Sequence, residues 1–115
     1  MCGITAFFKN TATDDKKVNE QRDKFITLST RLRHRGPDWS GIYLNDNVVI
    51  THERLSIVGV DCGSQPLKYT DKENEIVLSV NGEIYNYREL YQTVLHNKYT
   101  PQTNSDCEVI MYLYI

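Results

Sequence analysis

Tyr87, Leu90, Tyr91, Val94 and Leu95 stand at i, i+3, i+4, i+7 and i+8, the spacing that gathers apolar side chains on one face of a helix. Asn86, with Glu89 three residues later, supplies a capping-box-like start for it. An earlier stripe of Val18, Phe25, Ile26, Leu28 and Leu32 predicts an amphipathic helix over residues 18–35, basic at its end and stopped by Gly36-Pro37. A third helix is predicted to open at Ser105-Asp106-Cys107-Glu108, an S-x-x-E capping box, and to run into seven consecutive apolar residues, 109–115. That run has no polar face and no C-cap, so residues 1–115 are expected to be the front part of a larger domain.

Strand signals occupy the remaining segments. Cys2-Gly3-Ile4-Thr5-Ala6-Phe7-Phe8 mixes small and bulky apolar residues over a strand length and gives way to a polar cluster at residues 13–17. Gly41-Ile42-Tyr43-Leu44 and Val48-Val49-Ile50-Thr51 flank Asn45-Asp46-Asn47, whose short polar side chains tolerate turn conformations, and the pair reads as a hairpin. Residues 67–80 read as a second strand pair, broken by Asp71-Lys72-Glu73-Asn74. The expected pairing is therefore largely antiparallel. No repeat, low-complexity tract or interdomain linker interrupts the pattern.

Charge narrows the function classes. Thirteen Lys and Arg against 15 Asp and Glu in 115 residues leave a net charge of -2, with no basic excess to neutralise phosphates, so no nucleic-acid partner is expected. With 40% hydrophobic and 24% charged residues the chain has the balance of a folded globular protein. No stretch approaches the ~18 consecutive apolar residues of a membrane span, and the N-terminus lacks the basic region and apolar run of a signal peptide. No membrane partner is expected, and the expected compartment is the cytoplasm. Cys2, Cys62 and Cys107 are odd in number and widely spaced, which indicates neither a disulfide framework nor a metal site.

Cys2 carries the most chemical information. Loss of Met1 ahead of this residue would leave a thiol and a free α-amine on one residue, and such an amine titrates near ~7.7–8.0, suited to taking a thiol proton at neutral pH. The alternative is a small buried cysteine in the first strand. His52 could suggest a Cys-His dyad, but the amine makes a histidine base unnecessary and a strand histidine is the simpler reading. The basic group Arg31, Arg33, His34 and Arg35 is read as cations favoured by a helix C-terminus rather than as a phosphate site. His96 and Cys62 have no chemical context.

Six ordered blocks carry a resemblance: Met1-Cys2-Gly3-Ile4; Arg33-His34-Arg35-Gly36-Pro37-Asp38-Trp39-Ser40-Gly41; His52-Glu53-Arg54-Leu55-Ser56-Ile57-Val58; Gln65-Pro66-Leu67; Asn81-Gly82-Glu83-Ile84-Tyr85-Asn86; and Ser105-Asp106-Cys107-Glu108. In this order they resemble the front portion of class II glutamine amidotransferase domains, most closely those of glutamine-dependent asparagine synthetases. Gly59 departs from the asparagine synthetase pattern, where an acid is expected.

The resemblance implies an α+β fold of the N-terminal nucleophile hydrolase type, two antiparallel sheets packed face to face between helical layers. It implies that Cys2 attacks the side-chain amide of L-glutamine, releasing ammonia from a glutamyl thioester that water converts to glutamate. Asn81 and Gly82 match an oxyanion hole, a side-chain amide and a backbone N–H suited to the charge on the amide oxygen. Read alone, Asn81-Gly82 is equally a hairpin turn. Arg54 matches the residue that grips the glutamine α-carboxylate, with a salt bridge to a neighbour such as Glu53 as the alternative. Asp106 matches the partner of the α-ammonium, a role compatible with that of a first-turn acid on a helix. Leu55, Ser56, Ile57, Val58 and Glu83 are expected to line the pocket beside these anchors.

No cofactor is implied for glutamine hydrolysis. ATP and magnesium are implied for a synthetase domain that lies outside this chain and uses the ammonia to convert aspartate to asparagine. Related amidotransferase domains serve sugar-phosphate or purine precursors, and a non-catalytic glutamine-binding or docking module is the rival from another class. The resemblance also leaves a homodimer open.

Overall fold

The computed structural model describes residues 1–9, 18–57, 61–72 and 74–115. The chain builds an α+β fold, and among the described residues there are two small antiparallel sheets and three α-helices. Sheet one has the order β1 (Gly3–Phe8), β3 (Val48–Arg54), β2 (Trp39–Leu44). The Asn45-Asp46-Asn47 turn closes the β2–β3 hairpin as expected, with Asn45 Oδ1 accepting the Asn47 and Val48 N–H groups at 2.9 and 2.8 Å. Sheet two pairs β4 (Leu67–Thr70) with β5 (Glu75–Leu78) across the polar turn that the sequence marks.

Sheet one owes its buried face to α1 (Arg22–Thr30), which packs Phe25 and Leu28 against Val49, Phe7, Ile42 and Leu44. The expected helix over residues 18–35 is shorter than its apolar stripe suggests. A 3₁₀ turn precedes it at Val18–Gln21, and residues 31–36 continue it through i→i−3 bonds such as Leu32 N–H to Ser29 C=O at 2.7 Å. The Val18 side chain lies outside the described residues, and Ile26 is 37% exposed. Ser29 is buried in its stead, because its hydroxyl donates to the Glu53 carboxylate of β3 at 2.6 Å. A polar pair thus occupies part of a face that hydrophobic spacing alone would fill with apolar groups.

The second core joins α2 (Tyr87–Thr93), α3 (Val109–Tyr114) and β4 around Tyr91, Val109 and Tyr112. Tyr112 stacks on Tyr99 at 4.8 Å and meets Tyr69 edge-on at 5.3 Å, both favoured aromatic geometries. Neither expected capping box forms a side-chain cap. Glu108 turns instead to the preceding loop, where its carboxylate accepts the N–H groups of Gln102 and Thr103 at 2.6 and 2.7 Å and the Tyr112 hydroxyl at 2.7 Å. Two loop N–H groups would otherwise lack these bonds, and a buried carboxylate requires such donors. Of the terminal apolar run, Val109, Met111 and Tyr112 are buried, whereas Leu113, Tyr114 and Ile115 are exposed.

Two contacts tie sheet one to sheet two and to the loop before it. The Tyr43 hydroxyl of β2 donates to Glu75 of β5 at 2.7 Å. Gly41 lies under the chain at Gln65, where a Cβ would come within 1.9 Å of the Gln65 carbonyl oxygen, so only glycine permits this crossing.

Candidate active site

Antiparallel pairing of β1 with β3 sets Gly3 opposite Glu53, and one more residue of that register carries Cys2 to Arg54 and Leu55. The Leu55 N–H donates to Cys2 Sγ at 3.3 Å and the thiol faces the Leu55 carbonyl at 3.7 Å. Cys2 is half-buried and lines a cleft of about 260 Å³, rather than packing into the strand core. Arg54, Leu55, Ile57, Asn81, Gly82, Glu83 and Asp106 line the same cleft. The structure thus brings together eight of the ten residues singled out by sequence.

The other two differ. Ser56 turns away into the adjoining depression with Asp38 and Trp39, its N–H donating to Asp38 Oδ2 at 2.8 Å. Val58 lies outside the described residues, as does Gly59.

Asn81-Gly82 is not a hairpin turn. The pair lies on an irregular stretch that leaves β5 and leads into α2. Asn81 Oδ1 accepts the Cys2 N–H at 3.0 Å, and since an N–H must meet the amide oxygen, the NH₂ end of Asn81 points away from that nitrogen. The space over Gly82 is open: a Cβ there would meet no heavy atom within 4 Å.

Strand alternation separates the neighbours Glu53 and Arg54. Glu53 is committed to Ser29 and Ser40, which both donate to its carboxylate, while Arg54 lines the cleft, 6% exposed. Asp106, equally buried, accepts the Ile84 N–H at 2.6 Å through Oδ2 and so joins the α3 entry to the strand-to-helix connection beyond Gly82. A buried cation and a buried anion therefore share one small cleft with a thiol.

Several contributors escape the sequence reading. The Gln65 side chain lines the cleft and accepts the Val80 N–H at 2.7 Å. Its Gln65-Pro66-Leu67 block carries part of the resemblance but no assigned role. Cys107 also lines the cleft and donates its thiol hydrogen to the Gly82 carbonyl at 3.4 Å. Burial, then the Asp106 carboxylate and the nearby Cys2 and Glu83, push the Cys107 thiol up to about 12, so it stays protonated and serves as a donor. Arg35 corrects the reading of the basic cluster as a simple helix terminus. The tightened turn beyond α1 directs its Nε–H to the Cys2 carbonyl at 3.1 Å.

His52 lies fully buried on β3, as expected of a strand histidine, with Nδ1 2.8 Å from Ser79 Oγ. Burial first, and the Arg54 charge second, lower its pKa to about 4 against an opposing pull from Glu53. An unfolded histidine titrates near ~6.5. The unfolded chain therefore takes up a proton that the folded chain refuses, so the His52 contribution to stability is complete above pH ~6.5 and is lost as pH falls from there toward 4. The loss amounts to roughly 3 kcal/mol if fully expressed. Urea midpoints measured between pH 4 and 8 should fall over this window, and His52→Gln should flatten the fall. Equal slopes in the two proteins would assign the acid sensitivity elsewhere.

Among the described residues no group of three or more His, Cys, Asp or Glu is placed to hold a metal ion, and no helix is long and apolar enough to cross a membrane. A glutamine amidotransferase domain model matches residues 1–115. Asparagine synthetase B [glutamine-hydrolyzing] of Escherichia coli K12 is 51% identical over 114 residues, covering 99% of this chain and 19% of that protein. A probable asparagine synthetase [glutamine-hydrolyzing] of Dictyostelium discoideum is 47% identical over 115 residues, 99% of this chain and 20% of the relative. Asparagine synthetase [glutamine-hydrolyzing] 1 of Saccharomyces cerevisiae is 43% identical over 115 residues, the whole chain and 18% of the relative. The chain spans about one fifth of the length of these relatives. With a family model matching from end to end and a cleft that gathers the residues of its sequence blocks, the chain belongs to the glutamine amidotransferase domain family.

Proposed function

We propose that this chain hydrolyses L-glutamine to glutamate and ammonia, with Cys2 as nucleophile once Met1 is removed, and that the ammonia serves ATP-dependent conversion of aspartate to asparagine. The carrying observation is the Cys2 N–H bonded to Asn81 Oδ1 at 3.0 Å, which joins the amine of the nucleophile to the group assigned to the oxyanion. After loss of Met1 the Cys2 nitrogen is an amine. It can keep one N–H on Asn81 and use its lone pair to take the thiol proton.

The thiolate sulfur then bonds to the glutamine side-chain carbonyl carbon, and the carbonyl π electrons move to oxygen. The Asn81 NH₂ and the Gly82 N–H are the donors assigned to that oxyanion. Collapse of the intermediate breaks the C–N bond, the Cys2 ammonium returns its proton to the leaving nitrogen, and ammonia departs from a glutamyl thioester. Water adds to the thioester, and glutamate leaves as the Cys2 thiol is restored. Arg54 and Asp106 are assigned to the α-carboxylate and α-ammonium, and their common placement in the cleft supports selection of a free amino acid. Ile57 and Glu83 line the same cleft.

The finer architecture we propose is the αββα sandwich of N-terminal nucleophile hydrolases, of which this chain forms the front part. A synthetase domain in the same polypeptide is proposed to follow and to use ATP and magnesium; no step above passes through either. A cytoplasmic location is proposed from the hydropathy pattern of the sequence. The names of the relatives support asparagine over the sugar-phosphate and purine acceptors.

Incubating the processed full-length protein with glutamine should yield glutamate, and adding aspartate and ATP should yield asparagine. Absence of glutamate sinks the first half of this reading, and absence of asparagine alone sinks the second. Arg54→Ala should raise the KM for glutamine by ~10–100-fold with a smaller change in kcat, since a carboxylate grip acts equally on ground and transition states. A pure kcat effect would assign Arg54 to the chemistry instead.

A further inference from the structure

His52 is a buried polar residue that the proposed chemistry does not use. Its Nε2 has no hydrogen-bond partner among the described residues, although the ring is fully buried. A leucine of similar size would avoid that unsatisfied atom. What the imidazole supplies and a leucine does not is the 2.8 Å contact between Nδ1 and Ser79 Oγ.

Ser79 starts the stretch that holds the candidate oxyanion donors. β5 ends at Leu78, so residues 79–82 have no strand ladder and depend on side chains for their position. Val80 N–H is held by Gln65 Oε1 at 2.7 Å, Asn81 Oδ1 by Cys2 N–H at 3.0 Å, and the Gly82 carbonyl by the Cys107 thiol at 3.4 Å. Ser79 on His52 is the first of four consecutive ties. Removing it frees the root of the stretch, and the Asn81 amide lies two residues on.

We infer that His52 is a positioning residue for glutamine hydrolysis, acting through Ser79 Oγ to hold Asn81 and Gly82 where charge develops on the substrate oxygen; this rests on the proposed glutaminase function. Oxyanion donors act only when held in place before the reaction, and displacement by about 1 Å can cost ~10²-fold in rate. The effect falls on kcat because ground-state binding is assigned to Arg54 on β3 and Asp106 at the entry to α3, both outside the 79–82 stretch.

Four variants of the processed full-length protein test this. His52→Leu and Ser79→Ala should each lower glutaminase kcat by ~10–100-fold with KM within about twofold, and the double variant should be no slower than the worse single one. His52→Asn sets an amide where Nδ1 stands and should recover most of kcat, whereas His52→Gln, which reaches the Nε2 position, should not. Asparagine synthesis driven by added ammonia should be unchanged throughout, which reports an intact synthetase domain, and the preserved glutamine KM reports an intact cleft. Should His52→Leu fail to fold, Ser79→Ala, which deletes one oxygen, decides alone. Unchanged kcat in Ser79→Ala, or losses that multiply in the double variant, overturns the inference while wild-type glutaminase leaves the functional reading standing. An inactive wild type overturns both.

Discussion

Cys2→Ala in the processed protein should abolish glutamate release from glutamine, by ~10⁴-fold or more, while synthesis driven by added ammonia survives. The size follows from the covalent route: without the thiol there is no thioester, and only residual effects of binding and oxyanion donors remain. The structure adds a second, independent route to the same loss. With Met1 attached, the Cys2 nitrogen is an amide whose N–H still satisfies Asn81 Oδ1 but whose lone pair is delocalised into the Met1 carbonyl. Protein that retains Met1 should therefore bind glutamine and fail to hydrolyse it, although the thiol is intact. Met1 is 73% exposed at the edge of the cleft, so a processing peptidase can reach it. Intact mass and glutamate release measured on the same preparation check both statements. Full activity in Cys2→Ala removes the nucleophile, and full activity with Met1 in place removes the amine as base.

Much of this site is legible in sequence because short blocks place it on strand ends. The Asn45-Asp46-Asn47 turn fixes the β2–β3 hairpin, and β1 pairs on the other edge of β3 in the register that delivers Arg54 and Leu55 to Cys2. Local chemistry is enough for the hairpin, and the resemblance of the sequence blocks supplies the rest. The ties between distant segments are less legible. Ser29 falls outside the apolar stripe of its helix and gains its role only from Glu53 of β3, and Gln65 gains its role only from the Val80 N–H fifteen residues on. The same holds for the helix ends. Ser105 and Glu108 have capping-box spacing, yet Glu108 finds stronger satisfaction in the Gln102 and Thr103 N–H groups of the loop before it. Arg35 meets the Cys2 carbonyl only because the last turns of its helix tighten to i→i−3 bonds, a change of phase that apolar spacing does not encode.

Asn81→Ala should lower kcat for glutamine hydrolysis by ~10²–10³-fold with little change in KM, the signature of a donor that acts on the transition state. This substitution removes two groups at once, because the Asn81 side chain accepts from the Cys2 nitrogen and also carries the NH₂ proposed for the oxyanion. Asn81→Asp separates them. Aspartate keeps an oxygen for the Cys2 amine but replaces the NH₂ with a second, negatively charged oxygen that repels an oxyanion. If the donor carries the effect, Asn81→Asp should be at least as slow as Asn81→Ala despite preserving the amine contact. If the contact to the amine carries it, Asn81→Asp should recover much of kcat, and a nearby carboxylate should also raise the pKa of the Cys2 ammonium and move the acidic limb of the kcat/KM profile upward. Steady-state rates and the pH profile of the two variants thus decide between oxyanion stabilisation and orientation of the base. A recovered rate in the aspartate variant would return Gly82 N–H as the sole oxyanion donor of this stretch and leave Asn81 as the residue that aims the amine.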